Sequence, residues 1–367
     1  NTYVLPPFLT PEREELLDEL RDHWLPPHLT RVHLSSGGSE ANESAVKMAI
    51  QYQASRGKPE KKIILTRSLS YHGTTLNMSG ISGHAARKRG MESYLPSAKT
   101  IETPYPLRCP LGSFHPRAKD YYLDNLRKVI QHYGAENIAA LLMEPVNGSS
   151  GGAIYPPEGY WVEVQKILIE NDILLLADEV MTGFGRLGTY FAAEQVGIDP
   201  DFICISKGIT GGFLPLALTV TTKNIYNEFL GSTLDKAFTH GHSYAGNPIA
   251  CSAGVASFDI LTSTETNTAF KQMAQSHQKG LVNLHNKHSN IINNIRFRGT
   301  VAAFEVNSTN SLTNYLKAEF LKRGLLLRPI GNTIYMIPPY SVTMAEIDNA
   351  YSIIAEVIKE ADKNGVL

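Results

Sequence analysis

The sequence predicts an α/β protein: a mainly parallel sheet flanked by helices, followed by a smaller α+β domain. Three observations carry that prediction. Short apolar runs alternate with amphipathic stretches through the first two thirds of the chain. The 367 residues are enough for about two domains with a sizeable core. The texture then turns polar and helical after about residue 255. The expected division is therefore residues 1–255 and 256–367.

The elements follow in order. Thr10, Pro11 and Glu12 open a helix with an oxygen cap, a proline in the first turn and an acid at the positive dipole end; Leu16, Leu17, Leu20 and Trp24 form its buried stripe. A second helix is predicted from about Glu40 to Tyr52. Buried strands are expected at Lys62 to Thr66, Ile138 to Met143, Ile173 to Ala177, Phe202 to Ser206 and Ala217 to Thr222, each a short apolar run with polar or turn residues at its ends. The proline-rich stretch Thr103 to Pro116 reads as a surface loop. A polar helical region from Thr262 to Asn290 leads into short strands near Arg296 to Val306 and Leu325 to Ile337. Thr343 and Glu346 form a capping box before the last helix, in which Met344, Ile347, Tyr351, Ile354 and Ile358 recur at helical spacing.

Composition narrows the function. Lys and Arg number 34 against 35 Asp and Glu, so no polybasic nucleic-acid surface is expected, and 43% hydrophobic residues is ordinary for a globular protein. No apolar run is long enough for a membrane span, and Cys109, Cys204 and Cys251 are too few and too scattered for a disulfide framework or a cysteine-rich metal site. A cytoplasmic protein is expected. The first residues lack both an initiator Met and a signal-peptide pattern, which reads as a chain that begins inside a longer one.

Three elements could carry chemistry. Ser36-Gly37-Gly38-Ser39-Glu40-Ala41-Asn42 follows an apolar stretch and opens a helix, so its backbone N–H groups suit a phosphate; a plain glycine-rich helix entry is the alternative. Asp178 ends the apolar run from Ile173, at the strand edge where ligands sit in such folds, although a strand-end acid also caps turns. Lys207 follows the apolar run from Phe202 and precedes Gly208, Gly211 and Gly212; most lysines are solvated, but a desolvated one becomes a Schiff-base nucleophile. Together, a phosphate cradle, a strand-end acid and a lysine suit pyridoxal 5′-phosphate (PLP). Gly183-Phe-Gly185-Arg-Leu-Gly188 matches a dinucleotide pattern poorly, because no apolar helix opens after it. His240 and His242 lack a third metal ligand, and Gly241 to Ala245 lack the final glycine of a nucleophile elbow. No metal site is expected.

The Ser36 to Asn42 turn, Tyr71-His72-Gly73, Glu144-Pro145-Val146, Asp178-Glu179-Val180 with Thr182 to Arg186, Ser206-Lys207-Gly208 and Gly246-Asn247-Pro248 occur in an order and spacing that resemble the class III aminotransferases. The resemblance covers essentially the whole chain and implies fold type I, PLP as cofactor and an enzyme moving an amino group from an amine donor to a keto acceptor. It implies Lys207 as the Schiff-base lysine and proton carrier, Asp178 as partner of the pyridine nitrogen, and Gly38 and Ser39 as the phosphate-binding pair. Tyr71, beside His72, resembles the aromatic that stacks on the cofactor ring, with Val180 on the other face. Ser243 stands where the family usually has a Thr reaching the neighbouring subunit's phosphate, which implies a homodimer. The phosphate turn of the family lies deeper in the chain than Ser36, so the resemblance implies an N-terminal segment upstream of Asn1.

Within the family, Lys207 to Thr222, His240 to Pro248 and Leu325 to Tyr340 are similar to the 7,8-diaminopelargonic acid aminotransferases of biotin synthesis. That similarity makes Arg328 the substrate-carboxylate candidate; the alternative is an interface arginine paired with an acid such as Glu144, as in related enzymes. Thr74 stands where many of those enzymes have Asp, and Ser70 to Pro110 is closer to broader ω-amino-acid and amine transaminases. The donor stays open, with another class III ω-amino acid or amine:pyruvate aminotransferase, or a non-catalytic relative, as alternatives.

Overall fold

The structure, a computed structural model, describes residues 3–148 and 150–367. These hold ten strands and eleven α-helices, in two compact units. The first comprises residues 3–148, 155–184 and 190–260, and the second residues 150–154, 185–189 and 261–367.

The first unit is built on a seven-stranded sheet in the order β1-β7-β6-β5-β4-β2-β3. Its strands are β1 (Leu29–Ser35), β2 (Ile63–Arg67), β3 (Lys99–Ile101), β4 (Ile138–Met143), β5 (Leu174–Asp178), β6 (Phe202–Ile205) and β7 (Ala217–Thr222). β2 through β6 pair in parallel, whereas β7 runs antiparallel to both β6 and β1. Two antiparallel pairings in succession restore direction, so β1 also ends at the edge where β2, β4, β5 and β6 end. Its helices are α1 (Pro11–Glu19), α2 (Gly38–Ser55), α3 (Leu76–Ile81), α4 (Ala118–Tyr133), α5 (Tyr160–Glu170), α6 (Ala192–Val196), α7 (Lys223–Asn227) and α8 (Pro248–Thr262), the last running on into the second unit. The central strands β4 and β5 are buried at every position, which is why they read as unbroken apolar runs. Ala41, Ala45 and Ala49 bring one face of α2 against the sheet core that contains Leu142, Leu176 and Phe202.

The second unit contains α9 (Thr264–Lys287), β8 (Ile292–Arg298), β9 (Val301–Val306), α10 (Thr313–Lys322), β10 (Thr333–Met336) and α11 (Met344–Lys363). Its strands form an antiparallel sheet in the order β10-β9-β8, against which Leu316, Phe320, Ile354 and Ile358 pack. The predicted box closes the start of α11: the Glu346 N–H donates to the Thr343 hydroxyl at 3.2 Å, and the Thr343 N–H to the Glu346 carboxylate at 2.8 Å.

Several elements depart from the sequence reading. α2 starts two residues before Glu40, because Gly37 supplies its extended cap. The first helix changes to a π-helical turn over Leu20–Trp24, and Leu17 is only half-buried. Residues 325–332 form no strand, and Leu326 is 79% exposed; apart from an isolated bridge between Ile330 and Thr333, pairing here is made by β10. Residue 255 falls inside α8, and residues 150–154 and 185–189 join the second unit although they lie far upstream.

Candidate active site

The predicted groups in the first unit converge because successive strands end at one edge. Gly38 and Ser39 follow β1; Tyr71 and His72 follow β2; Glu144 follows β4; Asp178 closes β5; Lys207 follows β6. Asp178 pairs in register with Cys204, three residues before Lys207.

Asp178 is buried and held on both oxygens. Its Oδ2 accepts from Asn42 Nδ2 at 2.8 Å and lies 2.8 Å from His72 Nδ1, while Oδ1 accepts from the Val180 N–H at 3.1 Å. A carboxylate oxygen has two lone-pair directions, so Oδ1 keeps one for a further N–H donor. His72 is itself fixed: its Nε2 lies 3.1 Å from the Thr66 hydroxyl, its N–H donates to Ser82, and its carbonyl accepts from Asn42. The adjacent acid has a different task. Glu179 accepts from the N–H groups of Ala192 and Ala193 and from the Thr182 hydroxyl, capping α6, and burial pushes its carboxyl up to about 7.

The turn before α2 is arranged for an anion. Glu40 reaches back to accept from the N–H groups of Ser36 and Gly37, both at 2.9 Å. Gly38 and Ser39 stand in the first turn of an 18-residue helix, where N–H groups have no intrahelical acceptor. The Ser39 hydroxyl accepts from the Thr74 N–H at 3.0 Å, which leaves its own proton to donate. Glycine is required twice here. A Cβ on Gly38 would stand 2.8 Å from a Val180 methyl, and one on Gly73, at φ +145°, would stand 2.4 Å from Ser39 Oγ. Both contacts draw the loops after β2 and β5 onto the phosphate-type turn. This set fits PLP: amides and a hydroxyl for the phosphate, a carboxylate with a spare lone pair for the pyridine N–H, and a lysine on the neighbouring strand end.

Lys207 follows directly on the buried run of β6. The buried run stops at Ser206, and the lysine side chain is exposed. Its backbone holds φ +47° between extended Ser206 and a short 3-10 turn, an uncommon conformation for a non-glycine residue. Tyr71 is half-buried and carries the Arg87 guanidinium 4.5 Å from its ring centroid on one face. Glu144 pairs within the first unit with Arg67, Nη2 to Oε2 at 2.8 Å, rather than remaining open for another arginine. Arg328 belongs to the second unit, where Nε and Nη2 donate to the Tyr335 hydroxyl at 3.1 and 2.8 Å. Ser243 is exposed, in a loop whose neighbours touch the same chain's turn: His242 lies 3.2 Å from Glu40, and the Ser36 hydroxyl donates to the Tyr244 carbonyl at 3.4 Å. Arg13 steadies that loop through the Gly246 and Ala245 carbonyls. Among the described residues no group of His, Cys, Asp and Glu could hold a metal ion.

Three participants were missed by sequence reasoning: Asn42, Thr66 and Arg67. Asn42 had a usable signal, since it lies one turn after Gly38 on the same face of α2. Arg67 acquires Glu144 only through the pairing of β2 with β4, whereas Thr66 meets Ser70 and His72 locally, in the turn that follows its own strand.

The sheet order, with anion turn, strand-end acid and lysine on one edge, defines a fold type I PLP-dependent enzyme scaffold. The model of the class-III aminotransferases matches residues 4–358, and the chain belongs to that family of PLP-dependent enzymes. It is 35% identical over 355 residues to the adenosylmethionine-8-amino-7-oxononanoate aminotransferase of Geobacter sulfurreducens, covering 93% of this chain and 77% of the relative. It is 31% identical over 361 residues to a vanillin aminotransferase of Capsicum annuum, covering 95% and 78%. Among solved structures, an amine transaminase from an uncultivated Pseudomonas species in its PLP-bound form superposes with a TM-score of 0.90 at 30% identity, covering 98% of this chain and 84% of that one. No helix among the described residues is long and apolar enough to cross a membrane.

Proposed function

We propose that this chain transfers an amino group from S-adenosylmethionine to 8-amino-7-oxononanoate, forming 7,8-diaminononanoate in the cytoplasm, and that it does so as a homodimer. The observation that carries the catalytic reading is the Asp178 carboxylate, fixed by His72, Asn42 and Val180 on the strand beside the one that delivers Lys207. The substrate reading is supported by the relative from Geobacter sulfurreducens. The three cysteines, all free and buried, suit a reducing compartment.

When bound, PLP supplies the electron sink that lets the amine-bearing carbon of a substrate give up its proton. Gly38, Ser39 and their helix end would hold its phosphate, and Tyr71 and Val180 would bear on its ring. Asp178 keeps the pyridine nitrogen protonated, and His72 keeps Asp178 in place. Lys207 would hold the cofactor through its amine and, when that amine is free, would carry the donor-carbon proton. The left-handed backbone at Lys207 supports this role, because such strain persists where surrounding structure imposes it. Arg328 binds the acceptor carboxylate, its planar guanidinium suiting a bidentate pair. Glu144 helps to shape the pocket, and Ser243 reaches the phosphate of the partner subunit.

The test is a half-reaction screen of the purified protein with S-adenosylmethionine, lysine, β-alanine, diamines and arylalkylamines. Conversion of the cofactor by S-adenosylmethionine, followed by its return with 8-amino-7-oxononanoate, is expected. Conversion by lysine or an arylalkylamine, with none by S-adenosylmethionine, overturns the substrate assignment. The amine transaminase neighbour favours that second reading, an ω-amino acid or amine aminotransferase.

A further inference from the structure

Arg67 closes β2 with no exposed surface, which is rare for a charge. Its Nη2 donates to Glu144 Oε2 at 2.8 Å, its guanidinium lies 5.7 Å from the Trp161 ring centroid, and its Nε and Nη1 have no acceptor among the described residues. Glu144 is therefore its one acidic partner there. Glu144 is in turn engaged on both oxygens, because Oε1 accepts from the Gly148 N–H at 3.2 Å. The charged and polar groups that act on this carboxyl come from three directions: Arg67 and His72 from β2 and the turn after it, Asp178 from β5, and Gly148 from the loop after β4. Tyr160 on α5 faces Arg67, and its buried hydroxyl has no partner among the described residues.

We infer that Arg67 is a positioning residue of the transamination site: it holds Glu144 as a fixed carboxylate beside Asp178, at the edge where β2, β4 and β5 end. The inference rests on reading that edge as the cofactor site. Burial pushes the Glu144 carboxyl up, and Arg67 is the strongest influence pulling it down. Without the guanidinium, the buried acid takes a proton, and one of its oxygens becomes a donor. The charge next to Asp178 is then lost, and with it part of the field that keeps a pyridine nitrogen protonated. Replacing Glu144 alone would strand a buried arginine, so the informative changes begin with Arg67.

The experiment compares wild type, Arg67→Met, Arg67→Lys and the double variant Arg67→Met/Glu144→Gln, with folding checked by circular dichroism. The infrared carbonyl band of protonated carboxyls is read at neutral pH on protein stripped of cofactor. Arg67→Met should gain one such band that wild type and Arg67→Lys lack and that the double variant loses. In loaded protein, the pH at which the cofactor absorbance changes should move in Arg67→Met and return in Arg67→Lys, with the half-reaction about tenfold slower in the first, the factor that corresponds to one pKa unit. A folded Arg67→Met without the new band, or a band that survives in the double variant, overturns the inference. If Arg67→Met does not fold, Arg67→Gln, which keeps N–H donors without the charge, is held to the same criterion. Should wild type transaminate no donor, the proposed function fails, while the band on cofactor-free protein still decides what Arg67 does to Glu144.

Discussion

Lys207 is the residue whose loss should be least tolerable. Lys207→Ala is expected to lower transamination by 10²-fold to 10⁴-fold or more, the span contributed by a positioned general base. It should also abolish covalent retention of the cofactor, checked by borohydride reduction and intact mass; retention of both attachment and turnover would refute the assignment. Gly73 makes a second residue-scale prediction. A methyl at φ +145°, 2.4 Å from Ser39 Oγ, must displace the turn before α2. Gly73→Ala should therefore cost about 1–3 kcal/mol of stability, the range for imposed backbone strain. Cofactor affinity should fall with it, measured by equilibrium dialysis against the Ser39→Ala variant. Asp178 and Lys207 were legible in the sequence because each ends an apolar run, and a charge at that position stands out. Arg67 was not, because its role depends on contact with Glu144, 77 positions away, and Asn42 showed its place on α2 but not its partner Asp178, 136 positions away.

At the scale of the element, β4, β5 and β6 could be read from the sequence nearly to the residue because full burial makes a strand almost continuously apolar. β1 was visible only as the apolar stretch before the glycine turn, since Thr30, Arg31 and His33 interrupt it on a half-exposed edge. The short helix α6 shows how an element can depend on one acid. Its first N–H groups donate to Glu179, whose folded pKa is about 7 against an ordinary 4.5. Between those values the folded chain binds a proton that the unfolded chain has released. Stability should therefore fall as pH rises from about 4.5 to about 7 and level off above, by at most about 3 kcal/mol from this group. Glu179→Gln should flatten that part of the pH profile in urea denaturation while weakening the α6 cap; an unchanged slope would show that Glu179 does not titrate in this window.

For the whole molecule, the sequence revealed two bodies but not their boundary. A change in texture marks where polar helices begin, yet α8 runs continuously across residue 255, and nothing local to residues 150–154 or 185–189 announces that they fold with a unit that begins at residue 261. The reason lies in two half-buried arginines. Arg296 on β8 donates from Nε to the Ala153 carbonyl at 2.9 Å and from Nη2 to the Gly152 carbonyl at 2.6 Å. Arg186 donates to the Thr300 hydroxyl at 2.8 Å and the Pro338 carbonyl at 2.7 Å, and its guanidinium lies 4.1 Å from the Tyr340 ring centroid. The Thr300 N–H also donates to the Arg186 carbonyl, and Gly299 is so close to the 186–188 backbone that a Cβ there would stand 2.5 Å from the Leu187 carbonyl carbon. The β8–β9 hairpin is thus completed by two segments that a linear cut removes. A fragment of residues 261–367 keeps the core of Phe304, Phe320, Ile334 and Ile354 but leaves these partners unmade. Each lost hydrogen bond to a charged group is worth about 1.5–3 kcal/mol, against a marginal total for a domain of this size. The fragment should therefore show helical signal without a cooperative thermal transition, while the intact chain unfolds cooperatively. A sharp transition in the fragment would mean that residues 150–154 and 185–189 ornament the second unit rather than complete it.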